Sequence, residues 1–167
     1  MRLSKSTVST AAALVIIAAL AGLYIYSSSI PTINNGPSCH DPDSINSHIY
    51  NPGRLVVQKS CITVSGTVDK VISEDDGDYH LRLRLDPAYG NLTNGANDQY
   101  QYGDLVVEII CAHAVTQQDA IAACENYVNS IPVPQEGSHI TVSGPYVLDS
   151  GHYYWAEIHP VYSLTMS

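Results

Sequence analysis

Four side chains of this sequence have the types that metal chemistry needs: His80, Glu108, Glu157 and His159. Imidazole and carboxylate together suit zinc and its divalent neighbours. No two of them stand in a tight ligand motif, so their meeting depends wholly on the fold. Local patterns nevertheless say which way each one faces. In WAEIHPV (155–161), Glu157 and His159 alternate with Ala156 and Ile158, and the same alternation runs back through Tyr154, putting Tyr153 and Trp155 on the polar side. In YHLRLRLD (79–86), His80, Arg82 and Arg84 oppose Tyr79, Leu81, Leu83 and Leu85. Glu108 lies between Val107 and Ile109 in LVVEIIC (105–111). The apolar partners read as core, so the four candidate ligands are expected on the outer face of a sheet, or at its rim. The plainer reading of that face is solvated ion pairing, with Arg82 and Arg84 neutralising Glu108 and Glu157 and His159 closing a strand before Pro160.

Other chemistry has less to build on. EDDGD (74–78) places a glycine as a calcium loop would, but no bidentate glutamate closes it on schedule, so it reads as a solvated hairpin turn. No Gly-x-Ser-x-Gly elbow is present, which leaves no catalytic nucleophile to name. A calcium-dependent nuclease arrangement from Arg82, Arg84, Glu108 and Asp76 is opposed by the overall charge. The chain carries 12 tyrosines and no phenylalanine. Tyr100, Tyr102, Tyr146, Tyr153 and Trp155 form a candidate aromatic surface for a protein or glycan partner, the alternative being that half such rings close the ends of a barrel.

The elements that must position these residues are mostly strands. Strand one is read over Val56–Ile72, with Gly66 as a bend or bulge, and strand two over Tyr79–Asp86. A long loop follows, Pro87–Asp104, carrying the sequon Asn91-Leu92-Thr93, a glycosylation site only if exported. Leu105–Cys111 is strand three. A helix is expected from Thr116 to before Pro132, where Ile121, Cys124, Tyr127 and Val128 share a face. His139–Leu148 and Tyr153–Leu164 supply strands four and five. The pentapeptide ITVSG occurs at 62–66 and again at 140–144, two strands with the same local demand. The result is an all-β domain with one helix, in the order β-β-β-α-β-β.

Upstream lies Val8–Tyr26, an uncharged apolar run of 19 residues with Arg2 and Lys5 before it. That length and flank are expected of a transmembrane signal anchor, with residues 1–7 cytoplasmic and the remainder outside. A cleaved signal peptide with a site at Ala19-Leu20-Ala21 is the competing reading. Residues 27–53 are a polar linker and an irregular lead-in, and 54–167 the barrel domain. Cys39, Cys61, Cys111 and Cys124 all fall beyond the apolar run. Two disulfides are expected there, Cys39–Cys61 and Cys111–Cys124 being favoured among three pairings because each joins cysteines near in sequence. A four-cysteine zinc site would need close Cys-x-x-Cys pairs, and there are none. All 16 acidic but only five of the seven basic residues follow residue 27, a net charge of 5 − 16 = −11 there. Such a surface repels phosphate backbones, so nucleic acid is excluded as a partner and cations or basic surfaces are favoured.

The element order, with glycine-bent first and fourth strands, resembles the OB-fold, a five-stranded Greek-key barrel. The strings EDDGDYH (74–80), LVVEIIC (105–111) and WAEIHPV (155–161) are similar to those of exported or membrane-anchored OB-fold-like domain proteins of archaea and bacteria that finish on EIHPV. That resemblance implies an extracytoplasmic address and a single domain, and brings no activity with it. The expectation is therefore a membrane-anchored, extracytoplasmic binding or assembly module without catalytic turnover, recognising protein or glycan. The alternative is a divalent-metal-binding domain, or metal-dependent hydrolase, with its site at His80, Glu108, Glu157 and His159.

Overall fold

The computed structural model describes residues 39–167. The expected span Val8–Tyr26 lies outside those residues, and among the described ones no helix is long and apolar enough to cross a membrane. Six strands form the frame of the domain: β1 (Leu55–Ser73), β2 (Tyr79–Leu85), β3 (Leu105–Ile109), β4 (His139–Asp149), β5 (Trp155–Ile158) and β6 (Ser163–Met166). One short helix, α1 (Gly95–Tyr100), and 3-10 turns at Pro42–His48, Pro52–Arg54 and Pro87–Leu92 complete the regular structure.

The sheet order is β1-β2-β3-β5-β4-β6, and β1 also pairs with β4, so five strands hydrogen-bond in a closed ring, with β6 pairing the first half of β4 and β5 the second. All pairings are antiparallel except β3 with β5, which is parallel. The length of β1 makes the closure: its first part, from Leu55, pairs with β4, and its last part, to Ser73, with β2. The two ITVSG copies lie opposite each other in that ladder, Ile62 facing Gly144, Val64 facing Val142 and Gly66 facing Ile140. Glycine is needed at both for close approach. A Cβ on Gly66 would overlap the Arg84 carbonyl of β2, and one on Gly144 the Pro160 carbonyl after β5. The register shifts of β1 fall elsewhere, between Val57 and Ile62 and between Val68 and Lys70.

Inside the ring sit Ile62, Val64, Val68, Leu81, Leu83, Leu105, Val107, Ile109, Ile140, Val142, Ala156 and Ile158, all at most 1 % exposed. Period-2 alternation on each strand places them there. Two elements differ from the sequence pattern. Residues 116–131 form a run of turns and loop instead of a helix. Thr116 and Gln117 donate to the Asp75 carbonyl and Asn129 to that of Cys111, while Ala120, Ala123 and Tyr127 make isolated turn bonds to the carbonyl three residues back. With those bonds made and the Cys111–Cys124 disulfide in place, a helical ladder has no advantage left to offer. The helix that does form, α1, lies between β2 and β3, within the segment read as loop. Asn94 caps it, accepting from the backbone N–H of Ala96 and Asn97 while the Asn97 side chain accepts from Asn94 N–H. Six residues are too few to show a helical period.

The last strand is also shorter than its pattern suggests. Tyr153 and Tyr154 take left-handed backbone in the turn before β5 (φ 59° and 62°). Beyond Ile158 the chain leaves the ladder at His159–Pro160, since proline has no N–H to donate, and pairing resumes in β6. Both expected disulfides, Cys39–Cys61 and Cys111–Cys124, are present, with Cα separations of 5.8 and 5.4 Å.

Candidate metal centre

Strand adjacency brings the four candidate ligands together. His80 on β2 is directly opposite Glu108 on β3, and β3 runs beside β5, with Val106 opposite Glu157. His159 continues from β5. All four do occupy the outer side of the ring, but they are not at a solvated face or rim. Glu157 and His159 are each 1 % exposed, and His80 and Glu108 are also buried. The cover comes from segments with no strand pattern. Gln101, just after α1, is buried against His80. Trp155 reaches over Glu157, while the lead-in residues Asn46, Ile49 and Pro52 share with His159 the wall of a cavity of about 360 Å³.

The ion pairing expected on this face is absent. Arg82 and Arg84 both turn to Asp69, at 3.2 and 3.3 Å, and Arg82 also lies over the Tyr102 ring. Those guanidinium groups serve neither Glu108 nor Glu157.

Hydrogen bonding inside the cluster is half complete. His80 Nδ1 donates to Glu108 Oε1 (2.9 Å) and Nε2 to Gln101 Oε1 (3.0 Å). Trp155 Nε1 donates to Glu157 Oε2 (3.0 Å). His159 Nδ1 is 3.3 Å from Glu157 Oε1, an ion-pair distance without hydrogen-bond alignment. Six buried side-chain polar atoms lack a partner among the described residues, and four belong here: Glu108 Oε2, Glu157 Oε1 and both ring nitrogens of His159. Leaving one such atom unsatisfied costs about 1–3 kcal/mol, so their concentration in one place calls for a ligand. One ligand atom from each of Glu108, Glu157 and His159 lies within 4.8 Å of the others, a spacing that one ion about 2 Å from each can span.

Electrostatics point the same way. Burial opposes a charged His80 ring, but the Glu108 carboxylate, with Glu74 behind it, outweighs burial and lifts the imidazole to about 9. Burial likewise pushes Glu108 up, and His80 and His159 together hold it below its ordinary value. His159 is disfavoured by burial and raised by Glu157 and Glu108. The two imidazoles and the carboxylates thus favour one another's charged forms against the cost of burial.

Above it lies a cleft of about 670 Å³ whose walls include Glu74, Asp75, Asp76, His80, Glu108 and Trp155. Glu74 therefore joins the set, its Oε1 3.9 Å from His80 Nδ1; burial first, and Glu108 second, raise its carboxyl to about 7. The turn that holds it is only partly solvated, since Asp78 is buried and accepts the Cys111 N–H at 2.7 Å. Glu74 was hidden in sequence by three neighbouring acids of equal claim, and nothing in the sequence marks Gln101. Arg54 and His152 also line the cleft, and both donate to the wholly buried Asp149, His152 through Nδ1 (2.8 Å), while the His152 ring stacks on Trp155.

The aromatic residues divide. Tyr102 is 82 % and Tyr153 68 % exposed, and Tyr153 stacks on Tyr100 with centroids 4.3 Å apart. Tyr146 is half-buried with its hydroxyl donating to the Leu92 carbonyl, so it belongs to the packing, and Trp155 to the cleft. Asn91 is exposed.

No protein-family model matches the chain, and no curated protein matches it.

Proposed function

We propose that this domain is a divalent-metal-binding module, its ion held by Glu108, Glu157 and His159 with His80 alongside. The observation that carries this reading is that Glu108, Glu157 and His159, all buried, each have an unpartnered polar atom and offer ligand atoms within 4.8 Å of one another. One imidazole and two carboxylates suit zinc, manganese or iron(II). Trp155 holds the second oxygen of Glu157, leaving the first free to bind, as outer partners of metal ligands commonly do. The ring of five strands is read as an OB-like barrel. Its disulfides, the exposed sequon at Asn91 and the apolar run Val8–Tyr26 support an extracytoplasmic, membrane-anchored setting.

Elemental mass spectrometry on the purified full-length chain, made in an oxidising compartment, tests the reading. Stoichiometric metal is expected in the wild type and none in a Glu157→Gln/His159→Ala double variant of unchanged circular dichroism. A metal-free, stably folded wild type that takes up no zinc, manganese or iron(II) on titration would sink it.

A second reading rests on the exposed rings of Tyr100, Tyr102 and Tyr153, joined by Tyr154 at 54 % exposure. Stacked, amphipathic rings on a loop surface suit a protein or glycan partner. Tyr153 lies in the turn between β4 and β5 and the cleft residue Trp155 opens β5, so a partner on that surface would stand beside the mouth of the cleft.

A further inference from the structure

Two groups of ligand atoms meet at this site, and they share one residue. Glu108, Glu157 and His159 form the inner group; Glu74, His80 and Glu108 form the outer one. In each, one imidazole and two carboxylates lie within 4.8 Å of one another, and no single group among the described residues gathers all five side chains. We propose that the centre holds two divalent cations bridged by the Glu108 carboxylate. This rests on the metal-binding reading above and specifies its nuclearity.

The two oxygens of Glu108 have different surroundings. Oε1 faces His80 Nδ1 at 2.9 Å, while Oε2 is buried with no partner. A carboxylate that offers one oxygen to each side is the usual bridge between ions about 3.5–4 Å apart. Sheet geometry sets this up, because β2, β3 and β5 are consecutive neighbours in the ring: His80 is opposite Glu108, and Glu157 is opposite Val106, two residues along β3 on the same side as Glu108.

Each group also has its own supporting contact. Gln101 Oε1 accepts from His80 Nε2, so an ion replacing the proton on Nδ1 finds the ring already oriented and in the required tautomer. Trp155 does the equivalent for Glu157 in the inner group. Solvent access distinguishes the positions. Glu74, His80 and Glu108 line the cleft, whereas Glu157 and His159 do not. The outer ion therefore has coordination positions facing the cleft, where water or an exchangeable oxygen ligand can reach it, while the inner one borders the separate cavity walled by His159.

The test uses the full-length chain, stripped with chelator and reloaded with Mn²⁺, with bound metal measured by elemental mass spectrometry and spin coupling by electron paramagnetic resonance. The wild type is expected to bind about two equivalents with an exchange-coupled spectrum, as carboxylate-bridged pairs give. Glu74→Gln, a change on a partly exposed side chain, is expected to leave about one equivalent and an uncoupled signal. Glu157→Gln should leave one exchangeable ion open to the cleft. One equivalent in the wild type, unchanged by Glu74→Gln, would overturn the pair while keeping a single-ion centre. Two equivalents without coupling would overturn the Glu108 bridge. No metal in any form would overturn the underlying reading as well.

Discussion

Asn97 fastens the long β2–β3 connection to the ring. It is wholly buried; Nδ2 donates to the carbonyls of Asp104 and Ala156, both at 2.9 Å, and Oδ1 accepts from the N–H of Ala156 at 2.8 Å and of Asn94 at 3.1 Å. Every polar atom of the side chain is used. Asn97→Ala would strand backbone groups of β5 in a buried place, at about 1–3 kcal/mol for each one left unsatisfied. Chemical denaturation is expected to show a loss of roughly 3 kcal/mol. Metal uptake should fall with it, since Gln101 is carried on the same connection. In the sequence, GANDQY reads as loop because it is short and polar; nothing in it announces that one asparagine bonds across to a strand nearly 60 residues later.

Among the elements, the segment 111–131 depends on its disulfide more than on local propensity. It packs against the acidic turn through backbone bonds from Ala112, His113, Thr116 and Gln117 to the Gly77 and Asp75 carbonyls. The bridge closes a loop with a sequence separation of 13, for which chain entropy gives about 3 kcal/mol. A Cys111→Ser/Cys124→Ser variant is expected to lose about that much in a urea melt. Backbone amides of 112–124 should also lose protection from hydrogen exchange, while those of β1 and β4 keep theirs; equal loss throughout would show that the loop is held by packing. Helical spacing of Ile121, Cys124, Tyr127 and Val128 was a real pattern with a different cause. Ile121 and Val128 are exposed, and Cys124 faces its disulfide partner.

For the whole molecule, the buried acids and the buried imidazole give the metal-free state a pH signature. Glu74, Asp78 and His80 are raised to about 7, 8 and 9, burial being the largest influence in each and the Glu108 charge reversing its sign for His80. A group raised on folding stabilises most below its unfolded value and loses that contribution as pH passes its folded value. All three therefore weaken the fold as pH rises, over a window from about 4 to 9 set by their ordinary and raised values. Glu108, held low, acts in the opposite direction, but its contribution is lost only at acid pH, below its ordinary value of 4.5. Chelator-treated protein is thus expected to melt at lower temperature near pH 9 than near pH 6, with the difference shrinking when metal is restored. A flat profile in the chelated form would contradict the buried charge arrangement.

By itself the sequence determined the strand faces and the core, and favoured the cysteine pairing that the structure shows. Alternation in YHLRLRLD and WAEIHPV is a local property, fixed by the geometry of extended backbone. Cysteines near in sequence pair readily because closing a short loop costs little entropy. It also named four residues of the centre, since their types and facing are local as well. Only the tertiary structure decided that β3 lies between β2 and β5, and that α1, the lead-in and Trp155 cover the outer face. Alternation says which side of a strand a residue points to, but not what arrives from elsewhere in the chain to bury it. Here that burial turns surface-pattern polar residues into a buried cluster with unpartnered atoms on Glu108, Glu157 and His159, and it depends on contacts between segments far apart in sequence, which carry no local signal.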